Sequence, residues 1–589
     1  MRKLFYAIAL FGVLSLSGCA LNQMVKMAED QNLTVTPNPL EVHADTVAFE
    51  MSANLPVKML KKGKVYSINT FYKYGDNEIA LEPVQFKADD YPNAGDQQPK
   101  QTKEYAFAYS PAMNNGMLEV QGVASDPKNG KSKETERMAV APGVITTSKL
   151  VEPVYFAAYA DHGYNNQEEL VPTRVNFYFD QGRSELKYSE RRSNRGSKLS
   201  AYIAEKNATR TVTITGTHSP EGAERINARL AKDRAVAIQT FYTREMKKYD
   251  YKGLADSIKF ITKDVVEDWS VFKDSLAVYE GISSEEKSAY LDIINGPGSY
   301  EDKEDKLHKL PTYTKVFREL YPKLRVAKTE ILTVKEKKTD AEISVLAKQI
   351  ANESAPADTL SEEELLYAAT LTPSLQEKEA IYKAATKNTS WVAHNNLGAV
   401  YVEMAKEGDK EKYMDMAATQ FEIAMNKKET AEVHANMATV ELMKGNAYKA
   451  YSHIQKANSM SPGNELSQGI NGVKGSAEIM MAKYDDAVKS TANAENTAEN
   501  LFNKGLAQVL NKDYQNALTS FKEATEKDSN MAIAYYGAAI ANAHLGKESD
   551  VYSSIEKAVQ ANPELKEKVL NDLEFATYVS NEQFRNILK

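Results

Sequence analysis

The strongest constraint on the fold is a helical motif that repeats from about residue 361 to the C-terminus. Each unit has a small residue, an apolar or polar residue four positions later, and alanine three positions after that. The five motifs are Ala417, Phe421 and Ala424; Ala450, Ile454 and Ala457; Ala487, Thr491 and Ala494; Ala517, Phe521 and Ala524; and Val551, Ile555 and Ala558. The small residues Gly398, Ala438, Gly475, Gly505 and Ala539 precede them, by 12 positions in four units and by 19 in the first. This spacing predicts helix pairs that touch through small side chains and stack into a solenoid.

The repeats resemble the tetratricopeptide repeat, in which a proline such as Pro462 or Pro563 ends a unit. We expect the solenoid over 363–589, with a degenerate half-unit near Ala380 and a closing helix over about 564–588. The resemblance implies a concave groove that binds a peptide or a partner helix, and an empty spacer is the alternative. The candidate groove residues lie on first helices, in directions that the sequence leaves open: Asn395, Asn436, Asn503, Asn542 and Tyr536.

The N-terminus predicts export and lipidation. Arg2 and Lys3 precede an apolar stretch, 4–16, that is too short to span a bilayer as a stable helix. The stretch ends in Leu-Ser-Gly-Cys, and this Cys19 is the only cysteine of the chain. The segment resembles the lipobox of bacterial lipoproteins, which implies removal of signal peptide 1–18 and attachment of palmitate-like acyl chains to Cys19. By resemblance to known sorting rules, Ala20 in place of an aspartate directly after Cys19 predicts an outer-membrane anchor, and the lack of an early acidic cluster predicts a body that faces the periplasm.

Composition and missing motifs exclude several functions. The formal net charge of −8 argues against nucleic acid as a partner, since nucleic-acid binding needs a basic surface. With Cys19 acylated, no cysteine remains for a disulfide, a thiol nucleophile or a zinc site. The chain also lacks the His-Glu-x-x-His, Gly-x-Ser-x-Gly and P-loop motifs. We therefore expect no enzymatic activity, no cofactor and no metal, and a periplasmic enzyme is a remote alternative.

Residues 33–150 predict a β-sandwich, for which an immunoglobulin-like architecture is one candidate. Short alternating runs at 47–51, 66–72 and 117–120 are typical of half-buried strands. Asn115-Gly116 and Asn129-Gly130 are hairpin signals, because both residues tolerate positive φ. The Cys…Trp…Cys pattern of true immunoglobulin domains is absent, which leaves the strand topology open.

Residues 170–335 predict an α/β domain. A strand at 174–180 leads into a helix near 188–206, and a second strand at 210–215 leads through a loop into a helix over about 223–247. Phe-x-Phe-Asp at 177–180 and the helix motif Asn-Ala-Arg-Leu-Ala-Lys-Asp-Arg-Ala at 227–235 carry a resemblance to the OmpA C-terminal-like, peptidoglycan-associating domain. The stretch 322–327 then matches the final strand of that family, and about 265–320 is an inserted helical segment.

The resemblance implies a candidate peptidoglycan site that departs from the family at one position. In the family an aspartate of the turn and an arginine of the helix bind the two charges of diaminopimelate. Ser219 stands where the aspartate belongs, while Glu221 lies two residues further along the loop and could substitute for it. His218 is interpreted as a turn residue. The tentative site residues are Gly216, Ser219, Asn227, Arg234 and Arg325.

The expected architecture is multidomain: a β-sandwich, an OmpA-like α/β domain, a polar linker over 336–362 with one short helix within it, and a solenoid. The expected function is a lipid-anchored envelope scaffold that binds proteins through its repeats, with peptidoglycan as a candidate ligand of the α/β domain. The alternative is a chaperone or secretion accessory that acts through the repeats alone.

Overall fold

The structure is a computed structural model that describes residues 20–251, 253–264, 269–388 and 390–589. The predicted signal peptide and Cys19 lie outside the described residues. The chain divides into two compact units: residues up to Tyr164 together with Asp340–Lys589, and Asn165–Thr339. The sandwich and the solenoid, which the sequence suggested are separate domains, thus belong to one unit, and the α/β domain is inserted between them in the chain.

The first unit begins with helix α1 (Ala20–Met27), which is followed by two five-stranded sheets. The strands are β1 (Asn32–Thr36), β2 (Leu40–His43), β3 (Thr46–Asn54), β4 (Val65–Tyr74), β5 (Asn77–Lys87), β6 (Lys100–Ala108), β7 (Met117–Asp126), β8 (Lys131–Glu134), β9 (Met138–Pro142) and β10 (Val144–Ile145). One sheet has the order β1-β3-β2-β10, with β6 beside β3. The other has the order β5-β4-β7-β8, with β9 beside β7.

Alternation of side chains explains the sandwich. In β3, Val47, Phe49 and Met51 are buried, while the residues between them are exposed. Every second residue over most of β4 and β7 is buried in the same way, and all three strands contribute to one apolar core. The three strands predicted at 47–51, 66–72 and 117–120 are confirmed.

The two predicted hairpin turns have different outcomes. Asn129-Gly130 lies in the hairpin between β7 and β8, where Asp126 pairs with Lys131 and Gly130 has φ of +67°. The hairpin prediction for Asn115-Gly116 is wrong, because this turn connects β6 to β7, and these strands pair in different sheets. The dipeptide does form a turn, but it carries the chain from one sheet to the other.

The second unit is a four-stranded sheet of order β11-β14-β12-β13 with helices. Its elements are β11 (Leu170–Tyr178), α2 (Tyr188–Arg191), α3 (Asn194–Ala204), β12 (Thr209–Gly216), α4 (Glu224–Met246), β13 (Lys259–Asp264), α5 (Ser270–Ala277), α6 (Ser284–Asn295), α7 (Tyr300–Leu307), α8 (Tyr313–Glu319), α9 (Tyr321–Leu324) and β14 (Val326–Val334). The core lies between the sheet and the helices α3 and α4, where Phe177, Ile214, Leu199 and Ile238 are buried. An α/β architecture is therefore confirmed for this region.

The helical insertion ends later in the chain than predicted. Helices α5–α9 extend to Leu324 and enclose an aromatic core of their own, which includes Phe272, Tyr290 and Tyr321. Residues 265–268, at the predicted start of the insertion, lie outside the described residues. The final strand, predicted at 322–327, begins only at Val326, because the residues before it belong to α9.

The C-terminal part of the first unit is helical. Its helices are α10 (Asp340–Ala351), α11 (Glu362–Ala368), α12 (Leu375–Ala385), α13 (Trp391–Glu407), α14 (Lys410–Lys427), α15 (Ala431–Met443), α16 (Ala447–Ser459), α17 (Asn464–Met480), α18 (Tyr484–Ala492), α19 (Ala498–Leu510), α20 (Tyr514–Lys527), α21 (Ala532–His544), α22 (Glu548–Ala561), α23 (Leu565–Asn571) and α24 (Glu582–Ile587). From α13 to α22 they form five packed pairs, as the repeats predicted. Within the described part of the chain, none of the helices has both the length and the apolar composition needed to cross a bilayer.

The small residues of the repeats lie where the two helices of a pair touch. A Cβ atom built on Gly398 would lie 2.5 Å from the ring of Phe421, and one on Gly505 would lie 2.7 Å from the ring of Phe521. These distances are shorter than van der Waals contact, so only glycine lets the two helices approach this closely. The physical reason given for the small residues of the repeats is confirmed in these two pairs.

The predictions about the two ends of the solenoid have different outcomes. The short helix expected within 336–362 is present as α10, but it is part of the solenoid, because it buries Ile343, Ala347 and Ile350 in the core that α11–α15 share. The closing helix over 564–588 is broken into α23, a 3-10 turn at Leu573–Phe575 and α24. Burial of Phe575 and Phe584 requires the chain to fold back, which one straight helix would not allow.

Candidate functional site

The surface formed by the first helices α13, α15, α17 and α19 holds a segment of the same chain. This groove segment, residues 152–160, follows the 3-10 turn Thr147–Leu150 of the sandwich and precedes the inserted α/β domain. It contains neither helix nor strand. Its residues reach side chains from α19 at one end to α13 at the other, so it runs opposite to the order of the repeats. At about 3.3 Å per residue, it extends over roughly 26 Å.

Asparagine side chains bind the main chain of the groove segment through both of their polar groups. Asn436 Oδ1 accepts a hydrogen bond from the N–H of Ala158 at 2.7 Å, and its Nδ2 donates to the Ala158 carbonyl at 2.8 Å. Asn503 binds Glu152 in the same way, at 2.9 and 2.8 Å. Each of these amides therefore satisfies the donor and the acceptor of one residue, as a neighbouring strand would.

Asn396 adds a third bidentate pair at the far end. It accepts from the N–H of Ala160 at 2.7 Å and donates to its carbonyl at 3.0 Å. Asn395 donates to the Ala158 carbonyl at 2.9 Å, and its own Oδ1 accepts from Asn436 at 3.0 Å. Asn395 and Asn436 are fully buried, so losing one of them would strand main-chain groups away from water, at a cost of about 1–3 kcal/mol each.

The side chains of the groove segment fill shaped spaces between the helices. A Cβ on Gly469 would lie 2.0 Å from the ring of Phe156, so only glycine at 469 leaves room for that ring. The Phe156 carbonyl accepts a hydrogen bond from Thr439 at 2.9 Å. Ala158 packs in a cluster of small and aliphatic side chains that includes Ala435 and Ala438. The groove therefore accepts an aromatic residue at one position and requires a small one two residues later.

The ionisable side chains near the two ends of the groove segment, Glu152 and Tyr159, lie in different surroundings. Burial, together with the neighbouring Glu499 carboxylate, raises the pKa of the Glu152 carboxyl. Towards the other end, burial and Glu403 raise the pKa of the Tyr159 hydroxyl, and the ammonium of Lys378 lies 5.7 Å from the Tyr159 ring. An acid at the position of Glu152 is thus poorly accommodated, while the aromatic ring at Tyr159 is well placed.

The structure brings three of the five predicted groove residues to this site. Asn395, Asn436 and Asn503 bind the groove segment, whereas Asn542 and Tyr536 lie in the C-terminal repeat and bind other partners. Asn542 donates to Ser554 of its own helix pair at 3.4 Å, and the Tyr536 hydroxyl donates to Asp572.

The sequence analysis missed Asn396, Thr439 and the groove segment itself. A signal for the first was present, since Asn396 forms a doublet with Asn395 on one first helix. The segment 154–160, Val-Tyr-Phe-Ala-Ala-Tyr-Ala, is also unusually apolar for a connection between domains.

The five residues of the tentative α/β site converge, and Arg234 is the most deeply buried of them, with 1% of its surface exposed. Its guanidinium donates to the carbonyls of Thr217 at 2.7 Å, Arg183 at 3.0 Å and Asp180 at 3.2 Å. Burial and the nearby Arg325 lower its pKa to about 10. In this arrangement Arg234 holds the loops of the α/β domain together.

Arg325 pairs with the loop that the sequence analysis singled out. Its Nη2 lies 2.8 Å from Glu221 Oε1, and its Nε donates to Ser219 Oγ at 3.0 Å. Ser219 Oγ in turn donates to Glu221 at 2.6 Å, and Asn227 donates to the Glu221 carbonyl at 3.1 Å. Glu221 thus supplies the carboxylate that is missing at Ser219, and this carboxylate forms an ion pair with Arg325.

Gly216 and the helical insertion shape the surroundings of this site. A Cβ on Gly216 would lie 1.9 Å from the Ala231 carbonyl oxygen, so glycine is needed for strand β12 to approach helix α4. The His218 ring meets the edge of Tyr300 from the insertion, with 5.6 Å between ring centroids. His218 is buried in the loop. The site is closed by residues of its own domain.

No protein-family model and no curated protein matches the chain. Among solved structures, it is similar to the C-terminal part of a TPR repeat-containing protein from Cytophaga hutchinsonii, with 17% identity over 42% of this chain and 90% of that one, at a TM-score of 0.27. A tetratricopeptide repeat protein from Parabacteroides merdae has 17% identity over 38% and 96%, with a TM-score of 0.26. PilF of Pseudomonas aeruginosa has 15% identity over 42% and 100%, with a TM-score of 0.29.

Proposed function

We propose that this chain is a lipid-anchored, non-catalytic scaffold of the bacterial envelope that binds protein partners through the unit made of sandwich and solenoid. One observation carries the proposal: the inner surface of the solenoid holds an extended polypeptide by its main chain, through three bidentate asparagines. Binding an extended chain is the chemistry of a peptide-recognition surface, and it needs no nucleophile, metal or cofactor. The resemblance of the repeats to the tetratricopeptide repeat supports the same role.

The sequence at the N-terminus supports the location. Cys19 ends a lipobox-like segment, and helix α1 starts at the next residue and buries Leu21 and Met24 against the sandwich. Acyl chains on Cys19 would therefore be attached directly to a folded domain, with no spacer between the anchor and the body. We propose the outer membrane, with the body facing the periplasm.

Deleting the inserted domain tests which unit binds the partners. The inserted domain leaves the first unit after Tyr164 and returns to it at Asp340, and both residues contact Tyr367. The centroids of the Tyr164 and Tyr367 rings are 4.8 Å apart, and the Tyr367 hydroxyl donates a hydrogen bond to Asp340 at 3.1 Å. A short Gly/Ser loop can therefore replace Asn165–Thr339. Because the groove and its segment remain, we expect crosslinked envelopes to yield the same protein partners for this variant as for the full chain.

The control for this deletion is a melting curve of the purified variant, which should retain the cooperative helical transition of the first unit. If the folded variant loses the partners of the full chain, the α/β domain makes the contact with those partners, and the solenoid is a spacer.

For the α/β domain we propose the peptidoglycan association that its resemblance implies, in a weakened form. Arg325 already forms an ion pair with Glu221, and the site is buried. A ligand that binds Arg325 must therefore displace Glu221. Ser219→Asp would place a second carboxylate beside Arg325, repel Glu221 and supply the family's charge. We expect sacculi to retain this variant about tenfold more strongly than the wild type, in line with one charge-assisted hydrogen bond.

The matched control is Ser197→Asp, which adds the same charge at an exposed position of α3. Equal retention of both variants, or tight binding by a wild type that Arg234→Ala leaves unchanged, would show that the family's binding mode does not operate here.

A further inference from the structure

The main chain of the groove segment depends entirely on side chains of the solenoid. Within the described residues, none of the amide or carbonyl groups of 152–160 takes part in a backbone–backbone hydrogen bond. The segment is therefore neither a strand of the sandwich nor part of a helix, and the groove alone orders it. Such a segment can leave the groove without breaking any element of secondary structure.

Recognition by the asparagines does not depend on the identity of the residues that they bind. Every extended chain offers an N–H and a carbonyl at each residue other than proline, so the bidentate pairs cannot distinguish this segment from a foreign one. Selectivity comes from the spaces around Phe156, Ala158 and Ala160. The Phe156 ring fits only because residue 469 is glycine. The cluster around Ala158 leaves little room for a larger side chain at that position.

The groove segment is an imperfect ligand for this surface at its first end. Glu152 places a carboxylate in a half-buried position beside Glu499, and it makes no ion pair within the described part of the chain. Pro153 follows and has no N–H to donate. Residues 153–155 make no hydrogen bond to the groove, so the first pair is separated from the remaining contacts. A segment with an uncharged residue at the position of Glu152 would avoid the repulsion by Glu499. A residue other than proline at the position of Pro153 would supply the missing N–H donor.

We propose that residues 152–160 are an exchangeable internal ligand, which competes with an extended, uncharged segment of a partner protein for the same groove. The partner's segment has an aromatic residue at the position of Phe156 and small residues at the positions of Ala158 and Ala160. This inference rests on the proposed protein-binding function and specifies its partner. Because both ends of the groove segment are tethered, its effective concentration is high, and the partner binds well only when its own contacts are better or the internal segment is weakened.

Peptide binding to the full-length chain tests the competition. The probe is a fluorescent peptide of residues 152–160 with glutamine in place of Glu152. In the variant Ala158→Arg, the long charged side chain cannot enter the cluster around Ala435, which frees the groove. We expect this variant to bind the peptide at least tenfold more tightly than the wild type. Adding Asn436→Ala should weaken that binding at least tenfold, because two hydrogen bonds to the peptide are lost.

The matched control is Asn493→Ala in the same Ala158→Arg background, which removes an exposed asparagine at the end of α18. It should leave peptide binding unchanged. The proposal is overturned if a folded Ala158→Arg chain does not bind the peptide, if it binds no better than the wild type, or if Asn436→Ala has no more effect than the control.

Hydrogen exchange on the unmodified protein gives a test that does not depend on a variant folding. The amides of Ala158 and Ala160 should exchange by local opening, at least a hundredfold faster than the amide of Phe421 in the core of the solenoid. If they exchange only as fast as Phe421, the segment is a permanent part of the fold and the proposal fails. That result would leave the partner set of the Asn165–Thr339 deletion intact, so it can be told apart from failure of the scaffold function.

Discussion

Replacing Gly505 by leucine should unfold the C-terminal repeats. We expect no other single substitution in the solenoid to cause a larger loss of stability. The ring of Phe521 lies between two glycines: a Cβ on Gly505 would be 2.7 Å from it, and a Cβ on Gly537 would be 2.6 Å from it. The ring cannot yield to either side, so a larger residue must separate helix α19 from α20. We expect a cost of about 3 kcal/mol, in the upper range for overpacked cores. Thermal denaturation followed by circular dichroism measures it.

The control for this substitution is Gly463→Leu, at a helix N-terminus where a built Cβ meets no heavy atom within 4 Å. Its cost should stay below about 1 kcal/mol, as for other changes of an N-cap residue. Hydrogen exchange should place the damage of Gly505→Leu in α19–α22. A variant that melts with the wild type would show that the helices can separate here without loss, against the geometry of Phe521.

Changing Cys19 to alanine should abolish lipidation and release the protein from the membrane fraction. The lipobox-like segment supplies one acceptor, and the chain has no other cysteine. Two or three acyl chains bind a bilayer firmly, so their loss should have an all-or-none effect on fractionation. Incorporation of labelled palmitate and sedimentation of washed membranes measure the two results.

The matched control is Ser17→Ala, which keeps a small residue before the cleavage point and keeps the acceptor. It should be labelled like the wild type. Equal labelling of Cys19→Ala, or its persistence in washed membranes, would rule out this anchor.

Local signals in the sequence were sufficient for the solenoid and for several of the strands. The spacing of Gly505 and Phe521 records a contact between helices that follow each other in the chain, so the motif alone reveals it. The short helix within 336–362 was predicted, but its place in the solenoid core was not. Ile343, Ala347 and Ile350 lie on one face of this helix, while the charged residues before them and Pro356 after them are typical of an exposed connection.

Contacts between distant residues could not be predicted. Asn115-Gly116 does form a turn, yet which strands pair around it is decided by β3 and β4, far away in the chain. The partner of Glu221 is Arg325, 104 residues later: the resemblance assigned both residues to one region, but not the ion pair between them. The groove segment is the extreme case: asparagines were expected on the inner face, but nothing local connects Asn436 with Ala158.

The separation between the groove segment and its asparagines has a consequence for how the chain folds. A helical repeat forms from neighbouring residues and should assemble fast. The bonds of Asn396, Asn436 and Asn503 to the segment instead close loops of 236, 278 and 351 residues, and each closure costs chain entropy that local contacts do not. The segment is also synthesised before the helices that receive it, so it must remain extended and unpaired until they exist. Closing the groove is therefore the late, slow step of assembly, and the apolar residues 154–160 are exposed to solvent until it occurs.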